Sequence, residues 1–187
     1  MKFLTVSWKT FENKIHRLAT NISSSEKDLE IMVAIARGGM SVAHILSDFL
    51  HLPIATFTIS SYKDLKQTKM SQISYGVGGS LQDKKILLVD DISDTGKTFI
   101  RGIEHIKEMG GASIVTASVF IKTWTSFVPD YYIAKTDRWI VQPFEIRETI
   151  QDLSKLMKKE GATKEKIREK LRTLKMPEKY IDLYMTK

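Results

Sequence analysis

The segment from Ile86 to Thr98, ILLVDDISDTGKT, constrains the fold of this chain more than any other feature. Its four leading apolar residues have the composition of a buried strand, and they run directly into two adjacent carboxylates, Asp90 and Asp91. A loop of small and polar residues follows, and the pattern after Thr98 predicts a helix. This order of strand, loop and helix indicates an α/β sheet.

The same loop has the chemistry needed to hold a phosphorylated sugar. Backbone N–H groups between Asp94 and Thr98 can converge on a phosphate at the start of the helix, where the helix dipole favours an anion. The preceding carboxylates can accept hydrogen bonds from sugar hydroxyls. A Walker A loop is excluded, because Asp91 stands where its first glycine is required.

Other apolar runs extend the α/β pattern. The runs at 31–36, 53–59 and 113–121 predict strands, which alternate with helices predicted at 8–20, after Gly39 and at 98–109. We therefore expect an α/β fold with a three-layer parallel sheet and helices on both faces. The polar stretch from 60 to 79 predicts a functional loop, a lid with short strands at its base.

The C-terminal part of the chain differs in charge. Residues 146–187 carry 12 Lys and Arg against 7 Asp and Glu, whereas residues 1–145 carry 17 against 15. Two or three short helices are expected there, separated by Gly161 and Pro177. We therefore predict one domain with a hood over 1–145 and a small basic helical extension over 146–187. Its apolar spacing favours packing on the body over nucleic-acid binding.

Composition excludes several classes of protein. The chain has no cysteine, so disulfides and thiolate chemistry are excluded, and its four histidines show no metal-ligand spacing. No apolar stretch approaches the length of a membrane span, and the N-terminus lacks the apolar core of a signal peptide. We expect a cytoplasmic protein without a membrane segment.

Residues 89–98, VDDISDTGKT, resemble the motif by which type I phosphoribosyltransferases bind 5-phosphoribosyl 1-pyrophosphate (PRPP). The resemblance implies that Asp90 and Asp91 hold the ribose hydroxyls, partly through Mg²⁺. It implies that the 5′-phosphate is surrounded by Asp94, Thr95, Gly96, Lys97 and Thr98.

Two further segments extend the resemblance towards the pyrophosphate. Arg37, Gly38 and Gly39 follow the strand IMVAIA and are similar to the pyrophosphate loop, for which a cis peptide is expected between Ala36 and Arg37. Ser61 and Tyr62 begin the polar stretch and resemble the mobile loop that covers PRPP.

A third segment resembles the base pocket of the 6-oxopurine enzymes. The resemblance implies that Lys122 donates to the purine O6, that Trp139 stacks on the ring beside Ile140, and that Glu145 joins the two aspartates at the magnesium end. Val141 replaces an acidic residue found in some bacterial xanthine–guanine enzymes, so recognition at purine C2 stays open.

The implied reaction transfers the 5-phosphoribosyl group from PRPP to N9 of hypoxanthine, guanine or xanthine and releases pyrophosphate, a purine-salvage step. Asp94 would accept a proton at N7, and Arg37 would stabilise the leaving group. The family implies a homodimer or homotetramer.

Two alternatives stay open. The basic extension is compatible with a PRPP-sensing regulator that binds nucleic acid. A phosphoribosyltransferase for adenine or a pyrimidine is the other, although the Lys122 ammonium can only donate and therefore favours an oxygen at C6.

Overall fold

The computed structural model describes residues 2–61 and 71–185. The strands are β1 Phe3–Thr5, β2 Ile31–Ala36, β3 Ile54–Ser61, β4 Ser71–Tyr75, β5 Lys85–Ser93, β6 Ser113–Lys122, β7 Tyr131–Thr136 and β8 Trp139–Val141. The helices are α1 Trp8–Ser25, α2 Gly38–Leu50, α3 Lys97–Glu108, α4 Ile146–Lys159, α5 Lys164–Thr173 and α6 Glu178–Tyr184. None of the helices within these ranges is long and apolar enough to cross a membrane.

Six strands form the central sheet, in the order β4-β3-β2-β5-β6-β7. All neighbours pair in parallel except β3 and β4, which are antiparallel and form the base of the predicted polar loop. Strand β5 runs three residues beyond the end at Asp90 that its sequence indicates, because Ile92 and Ser93 continue the pairing with β6. The predicted α/β class with a parallel sheet is confirmed.

The crossovers place helices on both faces of this sheet. The connection through α2 moves from β2 outwards to β3, whereas the connection through α3 moves in the opposite direction, from β5 to β6. Since such crossovers are right-handed, the two helices lie on opposite faces. The face under α3 buries Val33, Ile35, Phe57, Leu88, Phe99 and Ile106.

The chain divides into two compact units, residues 12–137 and residues 1–11 with 138–187. The second unit pairs β1 with β8 in a small parallel sheet. Its three C-terminal helices bury one apolar cluster that includes Ile150, Leu153, Ile167, Leu171 and Ile181. The short helices expected around Gly161 and Pro177 are therefore present. The boundary after residue 145, between the predicted domain and the predicted helical extension, stays a prediction.

Replacing Phe99 by Ala tests the core under α3. The ring of Phe99 is fully buried and stacks on Phe127 with 5.4 Å between centroids. We expect Phe99→Ala to lower the free energy of unfolding by about 3–5 kcal/mol in urea titrations. The matched control is Ile100→Ala, since the neighbouring Ile100 side chain is 41% exposed. Equal losses in the two variants would contradict the assigned core.

Candidate active site

The site forms where the crossovers from two neighbouring strands diverge. Strands β2 and β5 pair directly, with Ala34 opposite Val89, and their chains leave the sheet towards opposite edges. Parallel sheets bind ligands in the crevice at the carboxyl ends of strands at such a switch point. The glycine loop after β2 and the acidic residues of β5 both lie at this crevice.

Close contact between backbone and carboxylates defines the floor of the crevice. A Cβ atom at Gly38 would lie 2.0 Å from Oδ1 of Asp91 and 3.2 Å from Oδ1 of Asp90. A Cβ atom at Gly39 would lie 2.4 Å from the carbonyl oxygen of Val89. A larger side chain at Gly38 would displace the Asp91 carboxylate, and one at Gly39 would clash with the strand backbone at Val89 and Asp90. The expected cis peptide between Ala36 and Arg37 is confirmed, and α2 begins immediately after it.

The acidic pair is buried and electrostatically costly. Asp90 and Asp91 are 8% and 7% exposed, and the Asp91 N–H donates to Oδ1 of Asp90 at 2.9 Å. Burial, followed by the negative charge of Asp91, raises the pKa of Asp90 well above its ordinary value, although a backbone N–H of Gly39 partly opposes this. A cation or hydroxyl donors in the crevice would relieve this cost.

The oxygen chemistry of the pair suits Mg²⁺, which prefers carboxylates and keeps several waters or substrate oxygens. Over residues 2–61 and 71–185, no group of three or more histidine or acidic side chains is arranged to hold a metal ion. A metal held by Asp90 and Asp91 would need further ligands from water or from a bound molecule.

The loop after β5 provides an anion-binding helix start. Gly96 precedes α3 with φ +85°, and a Cβ atom there would lie 2.5 Å from the backbone N of Phe127. The first N–H groups of a helix have no partner within it, and the helix dipole adds positive potential. Asp94, Thr95, Lys97 and Thr98 surround this helix start, as the sequence predicts.

A second loop is fastened to this one. The backbone N–H and the hydroxyl of Ser126 both donate to the carbonyl oxygen of Thr95, at 3.2 and 2.7 Å. The buried hydroxyl of Ser93 donates to the carbonyl oxygen of Phe127 at 2.7 Å. The segment at the end of β6, residues 122–127, therefore braces the loop of residues 94–98. We call the first the bracing segment and the second the phosphate-type loop. The sequence did not predict this connection.

The bracing segment contains a lysine, Lys122, and a tryptophan, Trp124. Lys122 ends β6 and is 4% exposed, and burial lowers its pKa against the opposing charges of Asp94 and Asp137. The Trp124 indole N–H donates to Oδ1 of Asp94 at 2.9 Å, and the Lys122 Nζ lies 5.1 Å from the centroid of the Trp124 ring. The structure thus brings Lys122 and Asp94 to one aromatic side chain.

Three predicted residues lie in the other compact unit. Trp139 is half-exposed and Ile140 is buried on β8, and Glu145 precedes α4. Trp139 and Glu145 line one cavity of about 110 Å³ together with Phe3, Leu153 and Leu156. Their roles beside Lys122 stay predictions. Ser61 ends β3, and Tyr62 lies outside the described residues.

The fold places a glycine loop, an acidic pair and a helix start together at the switch point of a parallel sheet. A family model described as the phosphoribosyl transferase domain matches residues 6–150. The chain belongs to the phosphoribosyltransferase family.

Two solved structures and one curated protein are similar to this chain. A purine phosphoribosyltransferase from Pyrococcus horikoshii is 35% identical, with 77% of this chain and 94% of that chain covered and a TM-score of 0.70. A xanthine-guanine-hypoxanthine phosphoribosyltransferase from Helicobacter pylori is 24% identical, with 83% and 99% covered and a TM-score of 0.69, and shares the fold. The transcriptional regulator GfcR of Methanobrevibacter smithii is 25% identical over 137 residues, 67% of this chain and 68% of the regulator.

Removing one charge from the acidic pair should stabilise the cation-free protein. The pKa of Asp90 is higher in the folded than in the unfolded chain, so ionisation of this side chain opposes folding. The destabilisation is complete at pH values above the folded-state pKa and absent below the unfolded-state pKa. We expect Asp90→Asn to raise stability at neutral pH by about 1 kcal/mol, or about 2–4 °C in Tm, in chelator-containing buffer.

That gain should shrink as the pH falls towards the ordinary aspartate range, near about 4. Thermal melts of both proteins across pH measure it, with Asp48→Asn as the control at an exposed aspartate. A pH-independent difference, or a loss of stability at pH 7, would contradict this electrostatic account.

Adding one methyl group should damage the crevice without disturbing the helix. Ala favours α2 locally, but its Cβ atom at position 38 would meet Oδ1 of Asp91 at 2.0 Å. We expect Gly38→Ala to lower kcat/KM for PRPP by about 100-fold, the scale of a 1 Å misplacement. Gly78→Ala is the matched control, since no heavy atom lies within 4 Å of a Cβ atom there. Unchanged PRPP kinetics in Gly38→Ala would be the contrary result.

Proposed function

We propose that the protein transfers the 5-phosphoribosyl group of PRPP to N9 of a 6-oxopurine and releases pyrophosphate. The main support is the crevice in which the Asp91 carboxylate lies so close to Gly38 that a Cβ atom added there would be 2.0 Å from Oδ1. A glycine loop, an acidic pair and an anion-binding helix start at one switch point match the three parts of PRPP: pyrophosphate, ribose hydroxyls and 5′-phosphate.

The phosphate-type loop would bind the 5′-phosphate through the amides and hydroxyls of Thr95 to Thr98, with Lys97 adding positive charge. Gly96 allows the close approach of this loop to the bracing segment, since it adopts a positive φ that other residues rarely take. The ribose hydroxyls would then reach Asp90 and Asp91.

Mg²⁺ would be held by Asp90 and Asp91, and when bound it would neutralise charge on the pyrophosphate. The family resemblance implies Glu145 as a further ligand. The backbone N–H groups of Gly38 and Gly39 would contact the leaving group. Arg37, which is exposed at the loop, would stabilise the developing negative charge.

The proposed chemistry breaks the bond between ribose C1 and pyrophosphate ahead of bond formation to N9. The carboxylate of Asp94 would accept the N7 proton as N9 attacks, which is general-base help. Ser61 and Tyr62 would belong to the loop that excludes water from the reactive sugar.

Lys122 supports a 6-oxopurine as the base. Its ammonium has donors only, so it suits the O6 carbonyl of hypoxanthine, guanine or xanthine rather than the amino group of adenine. Trp139 and Ile140 would hold the ring itself. A salvage role in the cytoplasm, in a homodimer or homotetramer, completes the proposal.

A regulator that binds nucleic acid is a second candidate. It is favoured by the similarity to GfcR and by the basic residues of 146–187. Two of those residues are already engaged, however: Arg168 pairs with Glu178 and Asp182, and Arg172 pairs with Glu178 at 2.8 Å. These ion pairs join α5 to α6, so two of the basic side chains contribute to the internal packing of the extension.

A panel of bases tests the proposal. Hypoxanthine, guanine, xanthine, adenine and uracil are each incubated with PRPP and Mg²⁺, and pyrophosphate release is followed. We expect turnover with at least one 6-oxopurine and little with adenine or uracil. No release with any base, together with steeply salt-dependent DNA binding, would favour the regulator. Adenine as the best substrate would refute the role of Lys122.

The same assay tests the base catalyst. We expect Asp94→Asn to lower kcat by about 10²–10⁴-fold, the usual value of general-base help, while PRPP affinity changes far less. The control is again Asp48→Asn, which should match the wild-type rate. If Asp94→Asn instead abolished PRPP binding in a calorimetric titration, Asp94 would be an anchor of the phosphate-type loop.

A further inference from the structure

Trp124 has no role in the function proposed above, yet it contacts two of the residues that function uses. It lies two residues beyond the end of β6, on the bracing segment, and its side chain is 54% exposed. Single exposed apolar side chains are common on protein surfaces, so it is the two contacts of Trp124, and not its exposure, that indicate a role.

The first contact is with Asp94. The indole N–H donates to Oδ1 of Asp94 at 2.9 Å, which is good geometry for a bond to a carboxylate. An indole has one donor only, so this bond uses its whole hydrogen-bonding capacity. A carboxylate has lone pairs for a second donor, and one fixed oxygen sets the plane in which that donor must approach.

The second contact is with Lys122. The ammonium lies 5.1 Å from the centroid of the Trp124 ring, within the range of a cation–π interaction. Lys122 is almost fully buried, so it has lost most of its hydration. The face of the indole compensates for part of that loss and fixes the direction of a long, flexible side chain.

The two contacts together fix the distance between the Asp94 carboxylate and the Lys122 ammonium. O6 and N7 lie on the same edge of a 6-oxopurine, so the group that donates to O6 and the group that accepts from N7 must stand at a set separation. Trp124 holds Asp94 by its N–H and Lys122 by its ring face. Its loop is in turn fixed to Thr95 through Ser126, so the spacing is tied to the phosphate-type loop.

We propose that Trp124 is a positioning residue that sets Asp94 and Lys122 at the separation needed to read the O6–N7 edge of the purine. This inference rests on the proposed function, because it requires those two residues to contact the base. It assigns to one side chain both the orientation of the proton acceptor and the placement of the O6 donor.

Two variants separate the two contacts. Trp124→Phe keeps an aromatic face for Lys122 but removes the N–H, whereas Trp124→Gln keeps an N–H donor but removes the ring. We expect Trp124→Phe to lower kcat by about 10- to 100-fold, the cost of a lost hydrogen bond to a charged group, with the KM for PRPP unchanged. We expect Trp124→Gln to raise the KM for the purine by about two- to fivefold, with a smaller change in kcat.

Trp8→Phe is the matched control, since Trp8 is also exposed, at 56%, and contacts Phe11 and Phe144 instead. It should behave as the wild type. Wild-type kinetics in both Trp124 variants, or a parallel rise in the KM for PRPP in both, would overturn the inference. A wild-type protein without turnover on any base would instead refute the proposed function, so the two failures are distinguishable.

Discussion

The structure depends on one close contact, between the glycine backbone at the start of α2 and the carboxylates of β5. Two buried acidic side chains on adjacent residues are unfavourable by themselves, and burial together with the Asp91 charge raises the pKa of Asp90. Gly38 and Gly39 allow the backbone to approach this pair without a side chain between them. The sheet therefore keeps an electrostatically strained crevice at the place where a polar ligand can relieve it.

Around this contact, the site is assembled from three consecutive strands of the sheet. Strand β2 supplies the glycine loop, β5 the acidic pair and the phosphate-type loop, and β6 the bracing segment with Lys122 and Trp124. Because the carboxyl ends of parallel strands meet at one edge, segments as far apart in sequence as Arg37 and Trp124 come together there. Hydrogen bonds from Ser126 to Thr95 make two of these loops one mechanical unit.

Local patterns in the sequence predicted most of this architecture. The buried strands and the helix that begins near Thr98 each have a short-range signature, whereas the cis peptide between Ala36 and Arg37 was implied by the family resemblance. The sequence missed β1, since a three-residue strand is recognisable only through its pairing with β8. It also ended β5 too early, at Asp90, because Asp91 has low strand propensity and the strand is extended only by the pairing of Ile92 and Ser93 with β6.

Within the site, the residues with a motif were predicted and those defined by contact alone were missed. Trp124 and Ser126 belong to no pattern, and their roles depend on bonds to Asp94 and Thr95 from about 30 residues away. In the sequence, a role for Trp124 in the site was indicated only by its position two residues after Lys122, the lysine at the end of the strand.

The most direct test of the central claim is a titration of isotope-labelled protein with PRPP and Mg²⁺, followed by backbone amide NMR. If the crevice holds the phosphoribosyl group, the largest shifts should fall on the amides of 37–39, 90–91 and 95–98 together, with the same saturation curve. Shifts confined to the helices of 146–187 would contradict the account. The absence of a saturable shift both at the glycine loop (37–39) and at the start of α3 (95–98) would also contradict it.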